Sequence, residues 1–440
     1  MNPWSRTDDA APPAAATTVA VDADPNTEAS GGPIRPLVTE LRLSAFKSHR
    51  GATYPLGPLT LFAGPSGSGK SSALQAYGLL VRLGAGESLE RALVAVPGGA
   101  AACVPDQAAP DAQGRRGFRV GCTVDGPVGP VRLDVAVQTE PELRIAGERL
   151  TGGGRTLFTT ALTDPGRPTV QAAWHTAGAA PVTRAPLPDD RLGTALLPLR
   201  VAGTTEGQRL VLAAAEQTLI ALRSSFLCDP RPEVVRAVAR GARPATGPGP
   251  NGAVGAGAMD APEGARLRPD CGNLAAVLER TSRECATRHA ALVAAVRAGC
   301  PSPGPVQGLR AEPGPRQDAG RAAADVPAVR AVLERGGECG ALPVDWLGDG
   351  ELRYLALALV LLTGPGVLAV DAVAEVLPAR QVLTVVVDGL DRCLDRRQSA
   401  ELLALAVRMA ARGHIRLLGT VTDAPAAARL PEVGVLHLGA

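Results

Sequence analysis

At 440 residues and 45% hydrophobic content, the chain can hold two or three average domains, or one α/β core carrying an inserted lobe. Aromatic residues make up 2% and the net charge is +2, so neither a base-stacking platform nor a charge-driven nucleic-acid surface finds support. The eight cysteines contain no C-x-x-C pair, and the longest apolar run, 355–362, falls far short of the ~20 residues of a membrane span. A soluble protein of the reducing cytoplasm is expected.

Residues 1–36 are rich in Ala, Pro, Thr and Asp, with no basic start leading into an apolar stretch. They read as a disordered tail and not as a secretory signal. From Val38 to Leu43 apolar residues alternate with period two, the pattern of a strand. A second apolar run, 59–63, enters Gly64-Pro65-Ser66-Gly67-Ser68-Gly69-Lys70-Ser71-Ser72, a complete G-x-x-x-x-G-K-[ST] phosphate loop, and helix-like spacing follows to about Leu83. That context supplies the mechanism: a strand delivers the loop and a helix N-terminus faces the phosphates. The glycines let successive N–H groups turn inward as an anion nest. Lys70 then reaches the β- and γ-phosphates, the Ser71 hydroxyl ligates Mg2+, and Ser72 adds a hydrogen bond to the α-phosphate. The chain has only two lysines, Lys47 and Lys70, among 45 basic residues, so a lysine at this position stands against the compositional bias.

Residues 117–150 hold short β-like runs between Gly/Pro turns, an antiparallel meander. Residues 190–226 have helical spacing. The Gly/Ala/Pro-rich stretches 240–268 and 301–325 lack periodicity and read as disordered insertions, with an amphipathic helix expected over 273–298 between them. Cys285 and His289 lie four apart on that helix, but without a second ligand pair an ordinary helix face is the better reading than a metal site. Order returns near Val326. A Gly348-Asp349-Gly350-Glu351 turn opens an apolar helix over 352–362, β-like runs at 367–370 and 383–387 each end in Asp, and a helix over 399–411 leads to a buried strand at 415–421. Strands alternating with helices after a phosphate loop predict a mainly parallel α/β sheet.

Four segments, in order, resemble the ABC-type ATPases of the SMC/RecF/OLD group, and most closely the small predicted AAA-family (RecF-like) bacterial ATPases. Leu43-Ser-Ala-Phe46-Lys47-Ser48-His49 resembles the N-F-[KR]-S-[FH] element ahead of the phosphate loop. The loop itself is the second, with Ser66 where the group often has Asn. Leu347-Gly-Asp-Gly-Glu-Leu-Arg353 resembles the signature motif, L-S-G-G-[QE] or L-S-D-G-T-L-R. Asp388-Gly-Leu-Asp-Arg-Cys-Leu-Asp395 resembles the Walker B and D-loop string D-E-x-D-x-x-L-D. The likeness spans roughly 37–425 and is weakest between 150 and 325.

The resemblance implies a P-loop NTPase head of the ABC type: a mostly parallel sheet, an antiparallel β subdomain and an inserted helical lobe. Residues 37–150 and 326–440 would form the head and 151–325 the lobe. ATP and Mg2+ are the implied cofactors, and a nucleotide-dependent homodimer the implied assembly, with each nucleotide held between one phosphate loop and Gly348, Asp349 and Gly350 of a second copy. Ser71 and Asp388 would hold the metal, and Lys70, Asp388 and Asp391 would serve hydrolysis. Asp371 also fits the Walker B position by its spacing from the signature; Asp388 is preferred for its D-loop flank. Three departures point to slow hydrolysis or an altered base. Gly348 replaces the signature serine, Gly389 replaces the glutamate after the Walker B Asp, and Asp423 replaces the switch histidine, leaving Asp391 as the nearest substitute acid. An ATP-binding sensor or scaffold with little turnover is therefore the alternative to an ATPase. Larger relatives act on DNA or in defence, but the charge here lends that role no support.

Overall fold

The computed structural model describes residues 35–178, 181–240, 266–313, 329–337, 340–364, 366–370, 382–422 and 424–439. In chain order, the first elements are β1 (Leu37–Ser44), β2 (Ala52–Pro55), β3 (Leu59–Ala63), α1 (Lys70–Gly84) and α2 (Leu89–Val94). A meander follows: β4 (Arg116–Asp125), β5 (Val131–Glu140), β6 (Arg144–Gly152), β7 (Arg155–Ala161), β8 (Thr169–His175) and β9 (Val182–Pro188). Next come α3 (Gly193–Leu196), α4 (Glu206–Arg223), β10 (Ser225–Cys228), α5 (Pro232–Ala239), α6 (Leu274–Glu284) and α7 (Ala286–Gly299). The last part holds β11 (Val306–Pro313), β12 (Val329–Arg335), β13 (Ala341–Pro343), α8 (Asp349–Leu362), β14 (Leu383–Val387), α9 (Arg396–Ala410), β15 (Ile415–Thr420), α10 (Ala424–Ala427) and β16 (Gly434–His437).

These strands form three sheets. Five strands in the order β10-β14-β15-β3-β16 pair in parallel throughout. Their central members are buried at every position, as strands covered on both faces must be. Alternate side chains feed two cores. Phe62, Val386 and Leu418 join one with α1 and α4, while Leu61, Val385 and Leu417 join the other with α8 and α9. The second sheet is antiparallel, eight strands in the order β2-β1-β4-β5-β6-β7-β8-β9, and its inner face packs on α1 and α4. The buried Arg416 of β15 ties the two sheets together by donating to the carbonyls of Val38, Leu56 (2.5 Å) and Gly57 (2.8 Å). A small antiparallel sheet, β11-β12-β13, lies beside α6 and α7.

The fold is mixed α/β, with parallel and antiparallel sheets, and it departs from the sequence reading in several places. The antiparallel sheet is the larger one, and the meander does not stop at 150. β7, β8 and β9 continue it through residues assigned to a helical lobe, and β10 joins the parallel sheet. β8 carries the signal plainly, since Val170, Ala172 and Trp174 alternate inward. Residues 306–313, read as disorder from their Gly/Pro-rich surroundings, form β11 because β12 supplies a partner edge. Residues 266–268 are ordered too, with Leu267 bridging to Leu368. The 367–370 run makes only that bridge and no strand among the described residues. The helix over 273–298 is two helices, because Cys285 takes an extended backbone (φ −149°) and caps α7. Cys285 thus leaves the helix face it was to share with His289, and among the described residues no cluster of metal ligands forms. Arg42 lies on the interior strand β1 and bonds Asp134 Oδ1 at 3.0 Å. No helix among the described residues is long and apolar enough to cross a membrane. Residues 1–34, 241–265 and 314–328, and with them most of the 1–36 and 240–268 stretches and part of the 301–325 stretch read as disordered, lie outside the described residues.

Candidate functional site

The phosphate loop leaves the carboxyl end of β3 and runs straight into α1, so the loop peptides end at a helix N-terminus. Two glycines are obligatory for different reasons. Gly64 has φ +142°, and a Cβ there would sit 2.3 Å from the Leu438 carbonyl oxygen. Gly69 caps α1 at φ +96°, and its missing Cβ leaves room for Ser48 Oγ and the His49 ring, at 2.7 and 3.0 Å from where that carbon would stand. Both positions exclude L side chains on backbone and space together. Pro65, Ser66 and Gly67 form the exposed crest of the loop, and Ser68 N–H donates to the Pro65 carbonyl at 3.2 Å to close its turn. Ser72 lies half-buried in the first turn of α1.

Lys70 folds over this loop. Its Nζ donates to the Gly64 carbonyl at 2.7 Å and the Pro65 carbonyl at 2.8 Å, which places the ammonium at the loop's own mouth. Ser71 Oγ donates to Asp388 Oδ1 at 3.0 Å. Asp388 follows the last residue of β14, and β15 lies between β14 and β3 in the sheet. Thr420, the last residue of β15, donates its hydroxyl to the same Oδ1 at 2.6 Å. It also accepts the Gly389 N–H at 2.7 Å. The site therefore gathers Lys70, Ser71, Asp388 and Thr420 from three adjacent strand ends. Thr420 was not singled out from the sequence; a hydroxyl residue ending a buried strand just ahead of the switch string was its only signal.

His49 is the second residue whose role the sequence left open. Its Nε2 lies 3.1 Å from the Gly69 carbonyl, and Tyr54 Oη lies 2.9 Å from its Nδ1. With the Tyr54 hydroxyl donating to Nδ1, the imidazole donates from Nε2 to the loop. Burial pushes the His49 pKa down, and the bond to Gly69 opposes that shift only in part. A neutral ring thus braces the start of α1. Lys47 braces the same helix by donating to Gln75 Oε1 at 2.6 Å.

The signature segment begins a buried helix. Gly348 caps α8 with open space around it, whereas a Cβ on Gly350 would lie 2.3 Å from the Cys393 carbonyl oxygen. Asp349 pairs with Arg236 at 2.6 Å, and Arg236 also donates to the Leu347 carbonyl at 2.7 Å. The structure thus sets Gly348, Asp349 and Gly350 against Arg236 and the 389–395 turn. Within that turn Gly389 has φ +66°, and Asp391 Oδ2 accepts the Thr422 N–H at 2.8 Å. Arg353, one turn further along α8, is buried. It donates from Nη1 to the Pro230 carbonyl at 2.8 Å and from Nη2 to the Gly389 carbonyl at 2.9 Å. Asp371 and Asp423 lie outside the described residues.

No protein-family model and no curated protein matches the chain. Among solved structures it is similar to an SmcHead bound to the C-winged helix domain of ScpA, with TM-score 0.45, 12% identity, and 91% of this chain and 94% of that chain covered. It is similar also to the SMC head domain from Thermotoga maritima (TM-score 0.39, 12% identity, 90% and 92% covered). A third is an Smc head domain with an extended coiled coil, bound to the C-terminal domain of ScpA derived from Pyrococcus furiosus (TM-score 0.43, 10% identity, 91% and 93% covered). These likenesses assign no role to any residue of this chain.

Proposed function

We propose that the chain binds ATP with Mg2+ at the 64–72 loop and acts as an ABC-type ATPase switch that pairs with a second copy on nucleotide. The observation that carries this reading is the 3.0 Å bond between Ser71 Oγ and Asp388 Oδ1 at the carboxyl ends of β3 and β14. A hydroxyl and a carboxylate meeting behind a phosphate loop form a hard oxygen donor set of the kind Mg2+ takes beside phosphate oxygens. The residues present fit the metal and the nucleotide. Ser71 and Asp388 would hold Mg2+, which supplies charge neutralisation to the β- and γ-phosphates when bound. Lys70 would turn its ammonium from the Gly64 and Pro65 carbonyls to those same phosphates, and the loop N–H groups would receive the rest of their charge. In the closed pair, Gly348, Asp349 and Gly350 would present the α8 N-terminus to the nucleotide of the other copy.

A second reading, an ATP sensor with little turnover, is favoured by Gly389. Its left-handed backbone and its bond to Thr420 put an N–H and no carboxylate after Asp388. Asp391 is the nearest acid to serve as base, and the Thr422 amide already engages one of its oxygens. One set of measurements decides between the readings: labelled-ATP binding, phosphate release and light-scattering mass on wild type and Lys70→Ala. Binding, release and doubling of mass that all vanish in Lys70→Ala support the switch. Binding without release supports the sensor, and unchanged affinity in Lys70→Ala removes both.

A further inference from the structure

Arg353 belongs to the signature segment, yet its buried guanidinium bonds to residues far from it in sequence. Nη2 reaches the Gly389 carbonyl at 2.9 Å, and Nη1 reaches the Pro230 carbonyl at 2.8 Å. From Gly389 the bonding continues without a gap. The Gly389 N–H donates to Thr420 Oγ1 at 2.7 Å, Thr420 Oγ1 donates to Asp388 Oδ1 at 2.6 Å, and Ser71 Oγ donates to that same oxygen at 3.0 Å. Both hydroxyls converge on Oδ1, which fixes the carboxylate and leaves Oδ2 for a metal shell. Gly350 adds a second link between the same two elements, since its lack of a Cβ lets the first turn of α8 close onto the Cys393 carbonyl. Residues 388–395 are therefore clasped between α8 and the end of β15.

We propose that Arg353 and Thr420 are positioning residues that couple the signature helix α8 to the Mg2+-holding pair Ser71 and Asp388. Arg353 holds the carbonyl of the peptide after Gly389, Thr420 Oγ1 accepts the N–H of the peptide before it, and the same hydroxyl orients the Asp388 carboxylate. A shift of α8 on meeting the nucleotide of a second copy then moves the carboxylate that holds this copy's own metal. Gly389 is part of the device, because φ +66° turns its N–H to Thr420 while its carbonyl faces Arg353. An L residue there would strain the backbone that makes both bonds. The sequence departure at 389, a glycine where the resemblance expects a glutamate, thus has a physical role.

The proposal rests on ATP binding at the 64–72 loop, and its test is built to fail separately. The readout is the gain in ATP affinity on adding Mg2+ to EDTA-treated protein, which isolates the metal-holding carboxylate from the rest of the site. Thr420→Val, nearly isosteric, should lower that gain roughly tenfold while leaving Mg2+-free affinity within about twofold, the scale of losing a hydrogen bond to a charged group. Thr420→Ser, which keeps the hydroxyl, should restore it. Arg353→Lys should lower the gain by roughly threefold, and the double variant should be no worse than Thr420→Val alone, as expected for two residues on one path. Effects that multiply in the double variant, or an undiminished gain in Thr420→Val, overturn the proposal. Should Arg353→Lys not fold, hydrogen exchange in Thr420→Val decides the other half. Faster exchange in the first turns of α8 supports the coupling, and unchanged exchange there overturns it. If wild type and Lys70→Ala bind ATP alike, the nucleotide reading fails first and the coupling falls with it.

Discussion

The parallel and antiparallel sheets use polar groups in opposite ways. At the carboxyl ends of the parallel strands, Asp388 is exposed and is held through one oxygen by Ser71 and Thr420, while Lys70 rests on loop carbonyls that a stronger acceptor can displace. In the antiparallel sheet two clusters of polar groups are each closed on themselves. Glu148 is fully buried and accepts Gly193 N–H at 2.6 Å, Thr194 N–H at 2.8 Å and the Thr194 hydroxyl. Arg42 divides its donors among Glu40, Asp134, Thr123 and the carbonyls of Cys122 and Leu133. Topology accounts for the difference. Parallel strands all end on one side, so the residues that follow β3, β14 and β15 converge. A meander alternates its ends, so the residues that follow its strands do not converge on one side, which suits a platform under α1 and α4.

If the parallel sheet carries the function, the largest effect belongs to Lys70. Lys70→Ala should weaken ATP binding roughly 100-fold or more, as loss of charge-assisted bonds to phosphates predicts, with the melting temperature of the nucleotide-free protein nearly unchanged. Titration with labelled ATP beside a thermal melt checks both halves. A large drop in melting temperature would make Lys70 a structural residue and remove the contrast between the sheets.

The next effect belongs to the antiparallel sheet and concerns stability alone. Burial drives the Glu148 pKa up to about 7, against the pull of the Thr194 and Gly193 donors. The folded chain therefore keeps a proton that the unfolded chain loses near the ordinary carboxylate pKa of 4.5. Its contribution to stability is full below that value, falls as pH rises, and is gone above about pH 7. The loss across the window is about 3.5 kcal/mol on the scale of 1.4 kcal/mol per pKa unit. Glu148→Gln should flatten this part of the dependence, as urea unfolding at pH 5 and pH 8 would show. ATP affinity at either pH should not follow it; if it does, the antiparallel sheet is more than a platform.

Asp388→Asn should come third. It should remove the Mg2+-dependent part of ATP affinity, roughly tenfold, because an amide is a weaker ligand for a hard cation than a carboxylate. Binding in EDTA should persist. Loss of binding in both conditions would show that Asp388 shapes the loop rather than the metal site.

The same contrast governs what could be read without coordinates. The phosphate loop, β1, β3, α1 and β14 stand where the periodicity puts them, because each carries a local signal: alternation, a glycine-rich turn or helical spacing. Asp388 could be weighed against Asp371 only by spacing to its neighbours. Its bond to Ser71 links positions 317 residues apart, and no local pattern encodes that. Thr420 and Arg353 act through backbone groups of Gly389, which the chain writes only as a glycine. The break at Cys285 has no Gly or Pro to announce it. Of β7 to β9, β8 carries an alternating pattern, yet its Ala172 and Ala173 are weak strand formers that need β7 and β9 beside them.

The smallest expected effect tests the departure that most limits the catalytic reading. Gly389→Glu restores the residue that the resemblance expects after the Walker B aspartate. Simple restoration of a missing base would raise phosphate release many-fold. The geometry argues otherwise. Gly389 has φ +66°, and a Cβ there would lie 3.1 Å from Arg392 Cβ, so the glutamate starts in a strained backbone and a tight neighbourhood. An L residue in that conformation costs about 1–2 kcal/mol. Relief of the strain would swing the Gly389 N–H from Thr420 and the carbonyl from Arg353. The expected outcome is a loss of about 1 kcal/mol in stability, with phosphate release no higher than in the wild type. A thermal melt and a phosphate-release assay on the same samples check it. Release that rises tenfold with no loss of stability would show that the 388–391 turn needs only a carboxylate, and that its backbone is not committed to joining α8 to Asp388.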